Sequence, residues 1–188
     1  ATIEKPGPVH LNVPLREPLY GLEEIEIKTP RLIDSAPVNQ HLPKAAFENF
    51  RNHLKQATKL MILVEERDAD ADLSIILERI GRNSSVVILA ESLGNTVTSN
   101  TITAFDRILA SLNEEDETDF KPDLLISLGK HLISKRLKQF LRKHKPKEHW
   151  KLDFSDTAPD TYQCLTKAIP MEPSAFFSEI EADIHVKP

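Results

Sequence analysis

The chain has 188 residues, of which 40% are hydrophobic and 28% charged. This length suits one ordinary domain with an added arm, and the composition is that of a folded chain rather than a disordered one. A net charge of −5 argues against a general nucleic-acid binder, and no apolar run approaches the roughly 20 residues of a membrane span. Because Cys164 is the single cysteine, no intrachain disulfide can form, which fits a reducing, cytoplasmic compartment.

Residues 1–40 are predicted to form an arm and linker. Apolar residues alternate with polar residues or proline in a pattern typical of a strand with one buried face, at Val9, Leu11, Val13 and Leu15. Pro14 and Pro18 end this strand, because proline cannot donate to a sheet. We expect the segment to be the exit strand of an absent domain, found as an extended arm or disordered, and never as a central strand.

Residues 41–188 are predicted to form one domain in which strands and helices alternate. Continuous apolar runs indicate strands covered on both faces at 60–64, 85–90 and 124–128. Helical spacing predicts helices over 43–57, from Asp68 or Asp70 to Gly81, over 101–112, over about 132–144 and over 173–180. Two further strands are predicted at 150–154 and 162–166, and an acidic, solvated loop at 113–119.

This alternation predicts an α/β fold, a doubly wound, mostly parallel sheet of about five or six strands with right-handed crossovers, as in Rossmann-like domains. Ligands of such sheets bind outside the carboxyl ends of the strands. The loops to search therefore follow Val64, Ala90 and Leu128.

The first two loops give weak signals. Residues 65–72 are acidic and lack the G-x-G-x-x-G pattern, which argues against a dinucleotide. In the second loop, residues 91–100, Asn95 could donate hydrogen bonds to an anion, or Gly94 and Asn95 could simply form a turn. The turn is the favoured interpretation.

The third loop places Lys135 and Arg136 near the start of a helix, where cations face the positive end of the helix dipole. Cations at this position destabilise the helix start, and a bound anion would offset that destabilisation. A carboxylate ligand would accept two parallel hydrogen bonds from Arg136 and would interact with Lys135 as a single positive charge. Alternatively, Ser134 could cap the helix while both cations are merely solvated. A further basic cluster over 138–147 is interpreted as a solvated helix end rather than a nucleic-acid surface, since no aromatic residues interleave with it.

Five segments resemble, in the same order, the thiamine-diphosphate-dependent 2-succinyl-5-enolpyruvyl-6-hydroxy-3-cyclohexene-1-carboxylate (SEPHCHC) synthases of menaquinone biosynthesis. They are Gly7–Leu19, Val87–Leu93, Ile102–Asp106, Lys121–Gly129 and Ser134–Leu137. The chain resembles the central domain of that family, and the acidic loop after Val64 departs from its pattern.

The resemblance implies an enzyme that decarboxylates 2-oxoglutarate on thiamine diphosphate and adds the succinyl unit to isochorismate. It also implies Mg²⁺ or Mn²⁺ as the metal and a homodimer or homotetramer. The cofactor-binding domains of that family are absent here, so we expect this chain alone to be inactive, with no catalytic, cofactor-binding or metal-binding residue of its own. Lys135 and Arg136 are the residues expected to contact substrate carboxylates, with Ser134 and Asn95 as weaker candidates.

Two alternatives stay open. The domain could instead be a regulatory module in which arginines such as Arg82, Arg107 or Arg136 hold an aromatic acid from later in the pathway. It could also be the central domain of another thiamine-diphosphate enzyme.

Overall fold

The computed structural model describes residues 10, 12–14, 42–152 and 159–184. Spatial proximity divides the chain into two units, Ala1–Asn39 and Gln40–Pro188. In the first unit, His10 and Asn12–Pro14 are exposed and belong to no strand. The rest of the predicted arm lies outside the described residues, and its interpretation as the end of another domain stays a prediction.

The second unit contains one six-stranded sheet in which every neighbouring pair is parallel. The strands are β1 (Leu60–Val64), β2 (Val86–Ala90), β3 (Thr101–Ile102), β4 (Leu124–Leu128), β5 (Glu148–Leu152) and β6 (Lys167–Ile169). The helices are α1 (Lys44–Gln56), α2 (Ala71–Ile80), α3 (Phe105–Ser111), α4 (Glu114–Asp119), α5 (Lys135–Lys143) and α6 (Pro173–Ile180). The spatial order β3-β2-β1-β4-β5-β6 confirms the predicted doubly wound α/β fold.

The central strands are buried because helices cover both faces of the sheet. Every residue of β1 and β4 is buried, and successive side chains along β1 point to opposite faces. Ile62 lies in a core formed with α1, α2 and α6, whereas Leu63 lies in a second core formed with α3 and α5. Fully burying one such aliphatic side chain contributes about 1.5–3 kcal/mol, so these two apolar layers stabilise the sheet.

The acidic segment predicted as a loop is instead helix α4. Asn113 accepts a hydrogen bond from the Asp116 N–H at 2.9 Å, and the Asp116 carboxylate accepts one from the Asn113 N–H at 3.4 Å. This capping box satisfies N–H groups at the helix start, and the acidic residues of the first turn favour the helix dipole. Local capping thus forms a helix that has no buried face.

The predicted strand at 162–166 is wrong, because β6 begins only at Lys167. The Asp160 carboxylate accepts hydrogen bonds from the N–H groups of Cys164 and Leu165, at 2.9 and 3.0 Å. These bonds fold the backbone into a turn, and Gln163 adopts a positive φ of 58°. The predicted helix at 101–112 begins later than expected, since its first two residues form the edge strand β3.

Asp123 connects three elements at the amino end of the sheet. Its carboxylate accepts hydrogen bonds from the Thr58 hydroxyl at 2.5 Å and the Lys59 N–H at 3.2 Å, and it forms an ion pair with Lys147 at 2.9 Å. Partial burial alone would raise the pKa of Asp123, but these bonds outweigh it and hold the pKa below its ordinary value of 3.8.

We expect Asp123→Asn to lower the free energy of unfolding by about 1 kcal/mol at pH 7, because it weakens charge-assisted hydrogen bonds. The folded-state pKa is depressed, so the contribution of the carboxylate is complete above about pH 4 and is lost as the pH falls further. Urea denaturation between pH 3 and 7 should show the difference between variant and wild type shrinking below pH 4. Asp68→Asn, at an exposed position, is the control, and a difference that stays constant with pH would contradict the prediction.

Candidate functional site

The loops after β1, β2 and β4 meet at the carboxyl edge of the sheet. The N–H of Glu66 donates to the His131 carbonyl at 3.1 Å, and the N–H of Arg67 donates to the Leu93 carbonyl at 3.1 Å. Gly129 has a φ of +105°, and a Cβ at this position would lie 2.8 Å from the Glu66 carbonyl oxygen. Only glycine tolerates both that backbone conformation and that close approach. The three loops therefore form one surface at the point where β1 and β4 lie side by side.

Lys135 and Arg136 are the first two residues of α5, and both are exposed on this surface. The Arg136 Nη1 donates to the carbonyl oxygen of Asp106 at 2.9 Å. That bond uses one of the five N–H donors of the guanidinium. The structure thus places the two predicted cations at consecutive positions of α5 at the carboxyl edge, with Arg136 bonded to α3.

Ser134 caps α5, as one of the open alternatives predicted. Its Oγ accepts a hydrogen bond from the Leu137 N–H at 3.0 Å and donates one to the Asp106 carboxylate at 2.6 Å. Because Ser134 is only 5% exposed and its hydroxyl has two partners, its side chain serves the helix start.

The start of α5 also has a carboxylate that sequence reasoning missed. Oε1 of Glu91 accepts hydrogen bonds from the N–H groups of Ile133 and Ser134, at 3.0 and 2.8 Å. Negative charge at a helix N-terminus is favourable. Glu91 and Asp106 therefore supply the negative charge that the sequence analysis expected from a bound ligand. The sequence does show that Glu91 directly follows a predicted strand. It does not show that Glu91 lies beside Ile133.

Asn95 occupies a turn, which supports the favoured interpretation of this residue. Its φ of 47° and ψ of 30° are left-handed, a conformation that asparagine tolerates better than most residues. Its side-chain amide donates to the carbonyl of Arg67 at 2.7 Å and so joins the first two loops.

A buried polar cluster beneath this surface was also missed. Glu65 is 2% exposed, contacts the ammonium group of Lys151 and accepts a hydrogen bond from the Tyr162 hydroxyl at 2.5 Å. Burial raises the pKa of Glu65, while Lys151 and Tyr162 oppose that shift. Burial, together with the charge of Glu65, raises the pKa of Tyr162 and keeps its hydroxyl protonated. A lysine between Trp150 and Leu152 in a doubly covered strand is the signal that could have pointed to this cluster.

A second buried polar pair lies beside that cluster. The Ser127 Oγ and the His149 Nε2 are 2.8 Å apart, and both residues are at most 1% exposed. Burial, and then the positive charge of Lys151, lowers the pKa of His149 to about 4, so its ring is neutral at pH 7. No substrate reaches a hydroxyl so deeply buried, which makes this pair structural. Burial raises the pKa of the Cys164 thiol to about 11, which disfavours a nucleophilic role.

The three arginines suggested as a regulatory site for an aromatic acid do not lie together. Arg82 precedes β2 at the amino end of the sheet, whereas Arg136 follows β4 at the carboxyl end. A five-residue strand separates these ends by about 16 Å. Arg107 lies on α3, which packs against α5. One small ligand therefore cannot contact both Arg82 and Arg136.

A cavity of about 410 Å³ lies between the sheet and the helices α3 and α5. Most of its lining is apolar, including Met61, Leu89, Phe105, Leu109 and Phe140. None of the four predicted ligand residues belongs to that lining. Among the described residues, no cluster of three potential metal ligands is found, and no helix is long and apolar enough to cross a membrane.

Two backbone N–H groups just before α5 are not free to bind the diphosphate group of thiamine diphosphate. Such a group binds where unsatisfied N–H groups meet it. Here the N–H groups of Ile133 and Ser134 donate to Glu91, and the neighbouring first loop carries Glu65 and Glu66. An anion at this edge would therefore be bound by other groups, among them the exposed side chains of Lys135 and Arg136.

We expect Lys151→Met to lower the free energy of unfolding by about 3–5 kcal/mol, because it leaves the buried Glu65 carboxylate without its charged partner. Urea denaturation at pH 7 measures the change. Adding Glu65→Gln to that variant should recover part of the loss, since no unpaired charge then remains buried. Lys145→Met, at an exposed position, is the matched control, and a loss below 1 kcal/mol for Lys151→Met would refute this role of the cluster.

Comparisons with known proteins agree with the resemblance seen in the sequence. The chain is 38% identical over 93% of its length to a 2-succinyl-5-enolpyruvyl-6-hydroxy-3-cyclohexene-1-carboxylate synthase of Flavobacterium psychrophilum, of which it covers 31%. It is 35% identical over 95% of its length to the synthase of the same name from Desulfotalea psychrophila, covering 33% of that protein, and 37% identical to the one from Porphyromonas gingivalis, over 95% of this chain and 31% of that protein. The chain therefore spans about a third of the length of these curated relatives.

A family model described as "Middle domain of thiamine pyrophosphate" matches residues 79–186, more than half of the chain. The matched residues include β2 to β6 and the loops that carry Asn95, Ser134, Lys135 and Arg136. The chain belongs to this family of thiamine pyrophosphate middle domains.

Proposed function

We propose that this chain is the middle domain of a SEPHCHC synthase. The whole enzyme decarboxylates 2-oxoglutarate with thiamine diphosphate and adds the succinyl unit to isochorismate, which makes it a transferase of menaquinone biosynthesis. Similarity to synthases of this name over more than nine-tenths of the chain is the observation that carries the proposal.

Within that enzyme, the role of this domain is to present Lys135 and Arg136 to carboxylates of a substrate or intermediate. Three observations support the role. Both side chains are exposed, both lie at the edge of the sheet where ligands of this fold bind, and the start of α5 is held in place by Ser134. Arg136 keeps further N–H donors in a planar fork that matches a carboxylate, while Lys135 adds a compact charge.

The cofactor and its metal ion, Mg²⁺ or Mn²⁺, belong to other domains of the parent enzyme. Glu91 supports this division of labour, since its carboxylate occupies the N–H groups of Ile133 and Ser134. A homodimer or homotetramer in the cytoplasm completes the proposal. Thiamine diphosphate supplies the electron sink for decarboxylation, and this domain supplies binding and orientation.

The proposal predicts that Lys135→Ala and Arg136→Ala, made together in the full-length protein that carries this chain, raise KM for 2-oxoglutarate or isochorismate about 10- to 100-fold. That factor corresponds to the loss of about 1.5–3 kcal/mol expected for a hydrogen bond to a charged group. Steady-state kinetics with each substrate measures it.

Two further variants sharpen the comparison. Arg136→Lys keeps the charge but loses the planar guanidinium, so its KM should lie between that of wild type and that of Arg136→Ala. Lys145→Ala removes an exposed cation beyond the C-terminal end of α5, and KM should stay at the wild-type value. If the double variant keeps wild-type KM for both substrates, the substrate role is wrong.

Calorimetry of the isolated chain tests the division between domains. Titration with thiamine diphosphate and Mg²⁺ should give no binding heat beyond dilution, because the proposal assigns the cofactor and its metal ion to other domains of the parent enzyme. Binding with a micromolar Kd would contradict the proposal that the cofactor site lies elsewhere.

A further inference from the structure

We propose that Glu91 is a positioning residue for the cationic pair, one that holds the start of α5 so that Lys135 and Arg136 stay at the carboxyl edge. This inference rests on the proposed function of that pair. It adds a residue 44 positions earlier in the chain than Lys135, on a different loop.

Glu91 is well placed for this task because its own backbone is fixed. Its N–H donates to the carbonyl of Val64 at 2.9 Å, so the residue is attached to the end of β1 as well as to β2. Its carboxylate then reaches the third loop and accepts the N–H groups of Ile133 and Ser134 through one oxygen. One side chain thus connects two central strands to the residues directly before Lys135.

The second support of α5 comes from Asp106 on α3. Asp106 accepts the Ser134 hydroxyl with its carboxylate and the Arg136 guanidinium with its backbone carbonyl. Asp106 therefore orients Arg136 and the Ser134 side chain, whereas Glu91 alone holds the backbone N–H groups of Ile133 and Ser134 within the described residues. The two carboxylates act on different atoms, so Glu91 can be tested separately.

Occupation of these N–H groups has a consequence for ligand recognition. A free helix N-terminus binds anions through its backbone N–H groups. Here those at Ile133 and Ser134 already donate to Glu91, so an incoming carboxylate cannot use them and meets the exposed side chains of Lys135 and Arg136 at the same helix start. Loss of the Glu91 carboxylate would leave the two N–H groups without a partner and remove the link between the end of β2 and the start of α5.

The test compares three variants of Glu91 in the full-length protein. Glu91→Ala removes the acceptor, Glu91→Asp keeps the charge but shortens the reach, and Glu91→Gln keeps an acceptor oxygen at the same reach without the charge. We expect Glu91→Ala and Glu91→Asp each to raise KM for the substrate bound by Lys135 and Arg136 about tenfold, with kcat changed less than threefold. Glu91→Gln should have a KM within threefold of the wild-type value.

A double-mutant cycle separates positioning from general stability. In a background with Lys135→Ala and Arg136→Ala, Glu91→Ala should have no further effect on KM, because no cation is left to position. An equal rise in both backgrounds would overturn the inference, as would Glu91→Asp with wild-type KM. Glu115→Ala, at an exposed position on α4, is the control that should match wild type in both backgrounds.

The same experiment distinguishes the inference from the function on which it rests. If Lys135→Ala and Arg136→Ala raise KM but Glu91→Ala and Glu91→Asp do not, the positioning role is wrong and the proposed function stands. If the cationic pair itself can be removed without a change in KM, the proposed function fails and the inference fails with it.

Discussion

The pairing of β1 with β4 is the constraint on which the rest of this domain depends. These two strands are adjacent in space although α2, β2, β3, α3 and α4 separate them in sequence. Their crossovers lead away in opposite directions, which opens a crevice beyond their carboxyl ends. The loops after β1 and β4 meet there, and the approach of Gly129 to the Glu66 carbonyl shows how closely they pack.

Two carboxylates then determine what the crevice can recognise. Glu91 binds the N–H groups of Ile133 and Ser134, and Asp106 binds the Ser134 hydroxyl, while the side chains of Lys135 and Arg136 remain exposed beside them. The planar guanidinium of Arg136 matches the two oxygens of a carboxylate, and the ammonium group of Lys135 adds a compact charge. The acidic character of the chain is thus compatible with a local preference for anions.

The sequence predicted the elements that have a strong apolar pattern and missed those held by polar contacts. The buried strands were found because β1 and β4 are continuous apolar runs. Helix α4 was missed because its residues are polar and form no apolar face, and a capping box stabilises its start instead. The cationic pair was found from its place after a buried strand. Glu91 was not, because its contact with Ile133 joins residues 42 apart, and only the fold brings such residues together.

The buried cluster of Glu65, Lys151 and Tyr162 has a consequence for synthesis on the ribosome. Lys151 follows Glu65 by 86 residues and Tyr162 follows it by 97. At about 5–20 residues per second, Glu65 leaves the peptidyl-transferase centre roughly 5–20 s before Tyr162 is added. For most of that interval neither partner of the Glu65 carboxylate has been made, and burial of the carboxylate without them would be unfavourable. The carboxyl end of β1 therefore closes late, after β5 and the segment beyond it have been made.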